Sequence, residues 1–368
     1  MAPDKFAGTL TAVEAAEAIA AGWARRAPDD ELDLAPMADG GPGFLDVLDA
    51  SHGGRDEPLV VHDAYGAEVP ASVLLVGGTV YVEAAQACGL HLTAPERRDP
   101  ERGSTVGVGE LVAAALDATH DGAVRRVVVG LGGTGTNDGG AGFLAELGAR
   151  ATPPDALVGG AAALATLEAV DPTAALERLR GVELVAASDV DNPLLGLIGA
   201  TNVYGPQKGL AAERLPPVDA ALGRLAAATD RKLALAKGAG AAGGLGFALL
   251  LLGGRRVPGI RLVAEAVSLP ERARRADLVV TGEGSFDFSS RSGKVPAGVA
   301  QVAAEAVRPC IALAGSVLVG SREMRTMGIE SAYSLVELVG ERTAFEEPAG
   351  SLAALAERVA RSWSIPTR

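Results

Sequence analysis

Cysteine is almost missing from this chain: Cys88 and Cys310 are the only two among 368 residues. Two thiols so far apart cannot form a disulfide framework. Neither lies in a CxxC or among histidines, so both read as small buried hydrophobes in a reducing compartment. Histidine is scarce too. His52, His62, His91 and His120 show no ligand spacing, and none stands in a glycine loop. That argues against zinc catalysis and a Ser-His-Asp triad, which both need a placed histidine. Aromatics are only 4% of the chain, too few for a platform that stacks single-stranded nucleic acid. Acids outnumber bases to a net charge of −13, a poor match for a phosphate backbone. The longest apolar run, Leu245 to Leu252, is far too short to span a bilayer. The opening MAPDKFAG lacks the basic-then-apolar pattern of a signal peptide. The expectation is a soluble, cytoplasmic protein with no nucleic-acid or membrane partner.

What the chain has in excess is glycine, 48 residues against an average usage of about 7%. These glycines cluster in a few loops without a repeat period. One is GLGGTGTNDGGAGFLAELG, Gly130 to Gly148, which sets Asp138 inside a glycine run that leads into an apolar helix. Its Asp-Gly-Gly-x-Gly-Phe-Leu core also occurs at Asp39 to Leu45. With 48% hydrophobic residues, the chain is long enough for a large core and for two domains.

Thr11-Ala-Val-Glu14 is a capping box that opens a helix closed by Pro28. A strand-like ELDLAPM follows, then the first Asp-Gly-Gly loop and a helix from near Gly43. Val60 to Ala85 holds short β-rich runs broken by Gly and Pro, the texture of a local antiparallel meander and of entry into a second domain. Beyond it, VRRVVVGLGG, VELVAASDVDNP, ADLVVTGEGSFD and PCIALAGSV each read as an apolar strand ending in a loop. Strands of this kind alternating with helices imply a mostly parallel sheet, with ligands at the carboxyl ends of its strands. Ala161 to Ala175 and Ala220 to Ala236 are helical by propensity. The strand that should feed the loop at Asp4 is absent or reduced to a stub.

Acidic glycine loops thus end strands or open helices at Asp4–Gly8, Asp39–Gly43, Asn137–Gly142, Asp189–Pro193 and Gly282–Lys294. Glycine lets a ligand approach the main chain, and free N–H groups at a helix start favour an anion such as phosphate. Carboxylates beside phosphate call for a divalent cation, and Mg²⁺ suits a few carboxylates plus phosphate oxygens. With Lys5, Lys208 and Lys294 to neutralise charge, the ensemble describes phosphoryl transfer. No single loop is specific. The Walker A spacing is absent, and no dinucleotide fingerprint follows a strand. Other readings stand beside this one. Asp39 and Asp138 are also suited to capping the helices after them, Asp191-Asn-Pro is a turn signal, and Lys208 and Lys294 could be solvated lysines. GAGAAGGLG, Gly238 to Gly246, fits a nucleotide contact and a tight packing seam equally.

Taken in order, APDKFAGTLTAVEAAEAI, PMADGGPGFLD, GLGGTGTNDGGAGFLAELGA, SDVDNPLLGLIGATNVYGPQKG, GAGAAGGLGFALL and TGEGSFDFSSRSGKVPAGVA resemble the bacterial-type glycerate kinase family. They extend from residue 2 to residue 300. The resemblance implies an α/β fold of two domains. One is flavodoxin-like and built from both chain ends, residues 1–59 and 270–368; the other is inserted, residues 60–269. It implies an ATP-dependent kinase acting with Mg²⁺ on a hydroxyl of D-glycerate, giving 2-phosphoglycerate and ADP. The partners are then the two small molecules and, at most, a second copy of the chain.

Carried onto this sequence, the resemblance makes Asp189, Asp39 and Lys5 catalytic. Asp4, Arg291, Asn137 and Asp138 become substrate-binding. Lys294, Lys208, Gly282, Glu283, Gly284, Gly132 and Gly133 fall to the nucleotide, and Asp191 and Asp287 to the metal. Departures from the family pattern stand at Ser285 and Ser289, where a basic residue and a glutamine are usual, and at Ala7, often lysine. Two other functions compete: a kinase for a different small hydroxy acid, and a non-catalytic sensor of small acids or nucleotides on the same scaffold.

Overall fold

A computed structural model describes residues 1–6, 8–117, 124–291 and 294–364. Ala7 and His120 lie outside the described residues, as do the side chains of Ser289 and Arg291. In chain order the strands are β1 (Ala2–Pro3), β2 (Arg55–His62), β3 (Glu68–Val76), β4 (Thr79–Glu83), β5 (Arg126–Gly130), β6 (Arg150–Thr152), β7 (Ala169–Asp171), β8 (Glu183–Ala187), β9 (Arg255–Val257), β10 (Val279–Phe286), β11 (Cys310–Val317) and β12 (Ser331–Ser334). The chain divides into two compact units. The first holds residues 1–39, 46–53 and 259–368; the second holds 40–45 and 54–258. Among the described residues no helix is long and apolar enough to cross a membrane.

The first unit is a parallel α/β layer. Its sheet runs β1-β10-β11-β12, all parallel. β1 is indeed a stub of two residues. The strand-like ELDLAPM forms no regular strand, yet it runs beside β1: Ala35 N–H donates to the Met1 carbonyl at 2.8 Å and Met37 N–H to that of Pro3 at 2.9 Å. Counting this segment, the order becomes the flavodoxin-like 2-1-3-4-5, with its switch point between β1 and β10. Asp4 is thus carried to the carboxyl end of a strand at the switch point, the usual place for a ligand in an open α/β sheet, and Asp39 to the carboxyl end of the segment on the other side of β1. The expected capping box is present, Thr11 and Glu14 exchanging backbone hydrogen bonds at the start of the helix Ala12–Arg26. That helix buries Ala15, Ile19 and Trp23 with Leu352, Leu355 and Val359 of the helix Pro348–Trp363.

The second unit has a six-stranded mixed sheet, β2-β3-β4-β5-β8-β9. β2, β3 and β4 form the antiparallel meander, and β4, β5, β8 and β9 are parallel. This part of the unit begins at Gly54, just before β2, which pairs along its whole length with β3. At the other end the helix Gly259–Ala266 groups with the first unit, where Gly298 packs directly under Ile260. The helix expected across Ala161–Ala175 is a correction. Only Gly160–Leu164 is helical there; β7 then pairs with β6, and a new helix starts at Thr173. Pairing of Thr152 with Ala169 outweighs the alanine propensity. The alanine run from Ala220 likewise stays α-helical only to Ala228, with a single 3-10 turn at Leu233–Leu235 beyond it.

Candidate active site

In the first unit the carboxyl ends of the parallel strands carry an array of acids and lysines. Asp4 follows β1, its N–H donating to Gly282 of β10 at 2.8 Å. The residue is only 8% exposed, and one carboxyl oxygen accepts the Lys5 N–H at 2.8 Å. Burial, with Asp39 and Glu283 adding negative charge nearby, pushes the Asp4 carboxyl up to about 7 even against the Lys5 ammonium. A carboxyl titrating near neutrality beside other acids is suited to moving a proton.

β10 presents the next groups. Glu283 is buried, accepts the Ser290 hydroxyl at 2.6 Å and lies 3.5 Å from the Lys294 ammonium. Burial raises the Glu283 carboxyl, and its Ser290 and Lys294 partners work against that rise. Lys294 is also 3.9 Å from Asp287. It occupies the N-cap position of the helix Val295–Glu305 without a side-chain hydrogen bond to the helix, and Pro296 lies in the first turn, as the sequence suggested. Lys294 is therefore a charge-paired lysine whose side chain stays partly exposed. Gly282 is buried in β10, where a Cβ would lie 2.2 Å from the Leu313 carbonyl oxygen. Its bareness serves the contact with β11.

In the second unit, the two repeated loops explain each other. A Cβ on Gly130 would come within 2.6 Å of the Gly40 oxygen, and one on Gly132 within 2.5 Å of Gly41 Cα. Gly132 N–H donates to the Gly40 carbonyl at 3.0 Å. Gly132 and Gly133 thus make room for the facing loop, with Pro42 lying over Gly133. The helix Phe44–His52 is capped at a distance: Glu83, at the end of β4, accepts the N–H groups of Gly43 at 3.0 Å and Phe44 at 2.9 Å. Sequence reading placed an acid there, but from Asp39.

Asp138 is wholly buried. It accepts the Thr105 N–H and hydroxyl at 2.9 and 2.8 Å, and the N–H groups of Gly140 at 2.9 Å and Gly142 at 3.1 Å. The structure therefore gives Asp138 the bonds of a cap and loop lock, turned inward. Asn137 is equally buried and donates to the Thr201 hydroxyl at 3.0 Å. Lys208, expected at a phosphate, is buried and donates to the Thr136 carbonyl at 2.7 Å. Burial brings its ammonium down to about 8, with Cys88 and Asp138 acting against the drop. GAGAAGGLG resolves as a packing seam: Gly139 N–H donates to the Gly243 carbonyl at 2.9 Å, and a Cβ on Gly243 would sit 2.0 Å from the Thr136 oxygen.

Asp189 is half-buried just past β8, in the loop after Ala187. Asp191 is exposed and paired with Arg256 at 2.8 Å and Lys237 at 3.3 Å. Asn192 is used within its own loop, donating to the Ile198 carbonyl and accepting from Tyr204. Thr105, Ser290 and Glu83 had no signal in the sequence. Each acts on a group 7 to 40 residues away in the chain.

The glycerate kinase family model matches residues 1–364. A glycerate kinase of Bacillus subtilis strain 168 is 40% identical, covering 98% of this chain and 96% of the relative. The glycerate 2-kinase of Escherichia coli K12 is 36% identical, with 92% and 91% covered. The crystal structure of a Salmonella typhimurium LT2 protein, assigned as glycerate kinase 2, superposes with a TM-score of 0.82 at 36% identity, covering 98% of this chain and 96% of that one. A match over nearly the whole length, in sequence and in fold, leaves one conclusion: the chain belongs to the glycerate kinase family.

Proposed function

We propose that this protein transfers the γ-phosphoryl group of ATP to the C2 hydroxyl of D-glycerate, releasing 2-phosphoglycerate and ADP. The observation that carries this reading is the array of Asp4, Lys5, Asp39, Glu283 and Lys294 at the carboxyl ends of the first unit's strands, in a chain of this family. The name of the Escherichia coli relative supports position 2.

Lys294 takes a phosphate. Its ammonium sits at a helix entrance, where free N–H groups favour an anion, and it exchanges Glu283 and Asp287 for phosphate oxygens. Arg291, with a planar fork matched to carboxylates, holds the glycerate carboxylate. Asp189 accepts the hydroxyl proton as the oxygen attacks, and Lys5 and Asp39 serve the transfer. One observation favours Asp4 as a second candidate for the base: its carboxyl is buried yet titrates near neutrality. Asp138, Asn137, Lys208, Gly132 and Gly133 act by fixing loops.

Mg²⁺, expected with ATP, finds no ready cage. Among the described residues no group of three or more His, Cys, Asp or Glu is placed to hold an ion. Asp191 is matched to Arg256 and Lys237, and Asp287 stands beside Lys294. As placed, these acids hold cationic side chains and do not fit a resident metal. The Mg²⁺ of the proposal arrives on the nucleotide.

The test is ADP release from purified protein with D-glycerate and a panel of other small hydroxy acids, with and without EDTA. Release dependent on D-glycerate and abolished by EDTA supports the reading. Preference for another acid moves the acceptor. Bound ATP with no turnover on any acid turns the protein into a sensor.

A further inference from the structure

Just beyond the acids of the first unit, two large apolar side chains are mostly exposed to solvent. Phe288 is 66% exposed and Leu318 71% exposed. They follow adjacent parallel strands: Phe286 of β10 is in register with Val317 of β11, and Leu318 N–H donates to the Phe286 carbonyl at 2.8 Å. Both therefore leave the sheet at its carboxyl edge, side by side in strand order. The strand ends between them carry little bulk. Gly284 and Gly315 lie so close that a Cβ on Gly315 would be 2.3 Å from the Gly284 oxygen. Ser285 and Ser316 face each other with hydroxyls 3.4 Å apart. Lys294, at the entrance of the helix Val295–Glu305, pairs with Glu283 and Asp287, which flank Ser285 on the same segment.

A flat apolar group attached to a chain of negative charges matches such a surface. Its ring lies on the aromatic and aliphatic pair over the small residues, and its anionic tail reaches the lysine and helix start. Among the described residues the other exposed aromatics are Phe345, within the helix Glu341–Glu346, and Tyr65, between β2 and β3. Neither lies at the carboxyl end of a parallel strand. Resting on the kinase reading above, we propose that Phe288 and Leu318 form the platform for the purine base of the nucleotide, and so set nucleotide preference. A base stacked on an aromatic ring contributes substantially and tolerates any π face, so the platform ranks purines above pyrimidines by ring area.

The full-length protein and its F288A, L318A and F288W variants decide the matter. F288A should weaken ATP binding on the order of ten-fold and shrink the purine-over-pyrimidine preference. Inhibition by inorganic tripolyphosphate, which has no base, should not move, nor should KM for glycerate. L318A should act in the same sense but less. F288W should hold ATP, and its new indole should be quenched by ATP and not by tripolyphosphate. Unchanged ATP binding in F288A, or equal losses for ATP and tripolyphosphate, overturns the platform. So does a drop in oligomeric mass with ATP binding intact, which would assign the face to a second copy of the chain. If the parent protein binds ATP with this F288A loss but transfers nothing to glycerate, the platform stands and the acceptor assignment falls.

Discussion

Replacing Asp4 with asparagine probes the most perturbed acid of the array through stability, independently of any substrate. In the folded protein burial holds the Asp4 proton up to about 7, whereas the ordinary value is 3.8. Between those values the folded state binds more protons than the unfolded one, so stability falls as pH rises and the loss is complete above about 7. At about 1.4 kcal/mol per pH unit, the gap corresponds to roughly 4 kcal/mol of ionisation cost in the folded state. An asparagine at this position never ionises and still offers an oxygen to the Lys5 N–H that Asp4 accepts at 2.8 Å. Asp4→Asn should therefore match the parent near pH 4 and exceed it by a few kcal/mol at pH 8. Denaturant unfolding of both proteins across that range, read as their difference, isolates this one group. A constant difference, or a variant less stable at pH 8, would refute the account of Asp4 as a buried acid crowded by Asp39 and Glu283. The same change should lower turnover if Asp4 moves the proton, a gain in stability against a loss in function.

Asp189→Asn should cut kcat by roughly 10²-fold or more, the usual range for an acid–base group, with ATP affinity little changed; a near-normal kcat moves the base role to Asp4 or Asp39. Lys294→Ala should raise KM for ATP or lower kcat, whereas Arg291→Ala should mainly raise KM for glycerate, and swapped effects would reverse the two assignments. Thr105→Val removes the hydroxyl donated to Asp138 at 2.8 Å, and should destabilise the protein by about 1–3 kcal/mol, the scale of leaving a buried acceptor without its donor, measured by denaturant unfolding. Both thiols are buried, and burial pushes each up to about 12, so a thiol reagent should count none in the native protein and two after denaturation.

Local chemistry in this chain was legible wherever the cause was local. The capping box at Thr11 needs only residues three apart, and the apolar runs of β5, β8, β10 and β11 needed no partner to be recognised as strands. Lys294 at a helix start followed from its Gly and Pro neighbours. What escaped reading depends on partners distant in the chain. Asp138 looks like a site residue because glycines surround it; its four donors come from Thr105 and from the turn itself, and make it a lock. The cap on the helix Phe44–His52 comes from Glu83, which nothing near Gly43 announces. The glycines of Gly130–Gly133 invite a ligand on paper but admit another loop in space. Alanine after Ala165 favours helix until β7 finds β6. Lys208 reads as a solvated or phosphate-binding lysine, and only the folded chain shows it buried on the Thr136 carbonyl.

The central claim is phosphoryl transfer to the C2 hydroxyl of D-glycerate. Incubating the purified protein with MgATP and D-glycerate and resolving the product by phosphorus NMR addresses it directly. The expected result is 2-phosphoglycerate formed in step with ADP. A 3-phosphoglycerate signal would contradict the position, and folded protein that leaves glycerate unphosphorylated would contradict the claim itself.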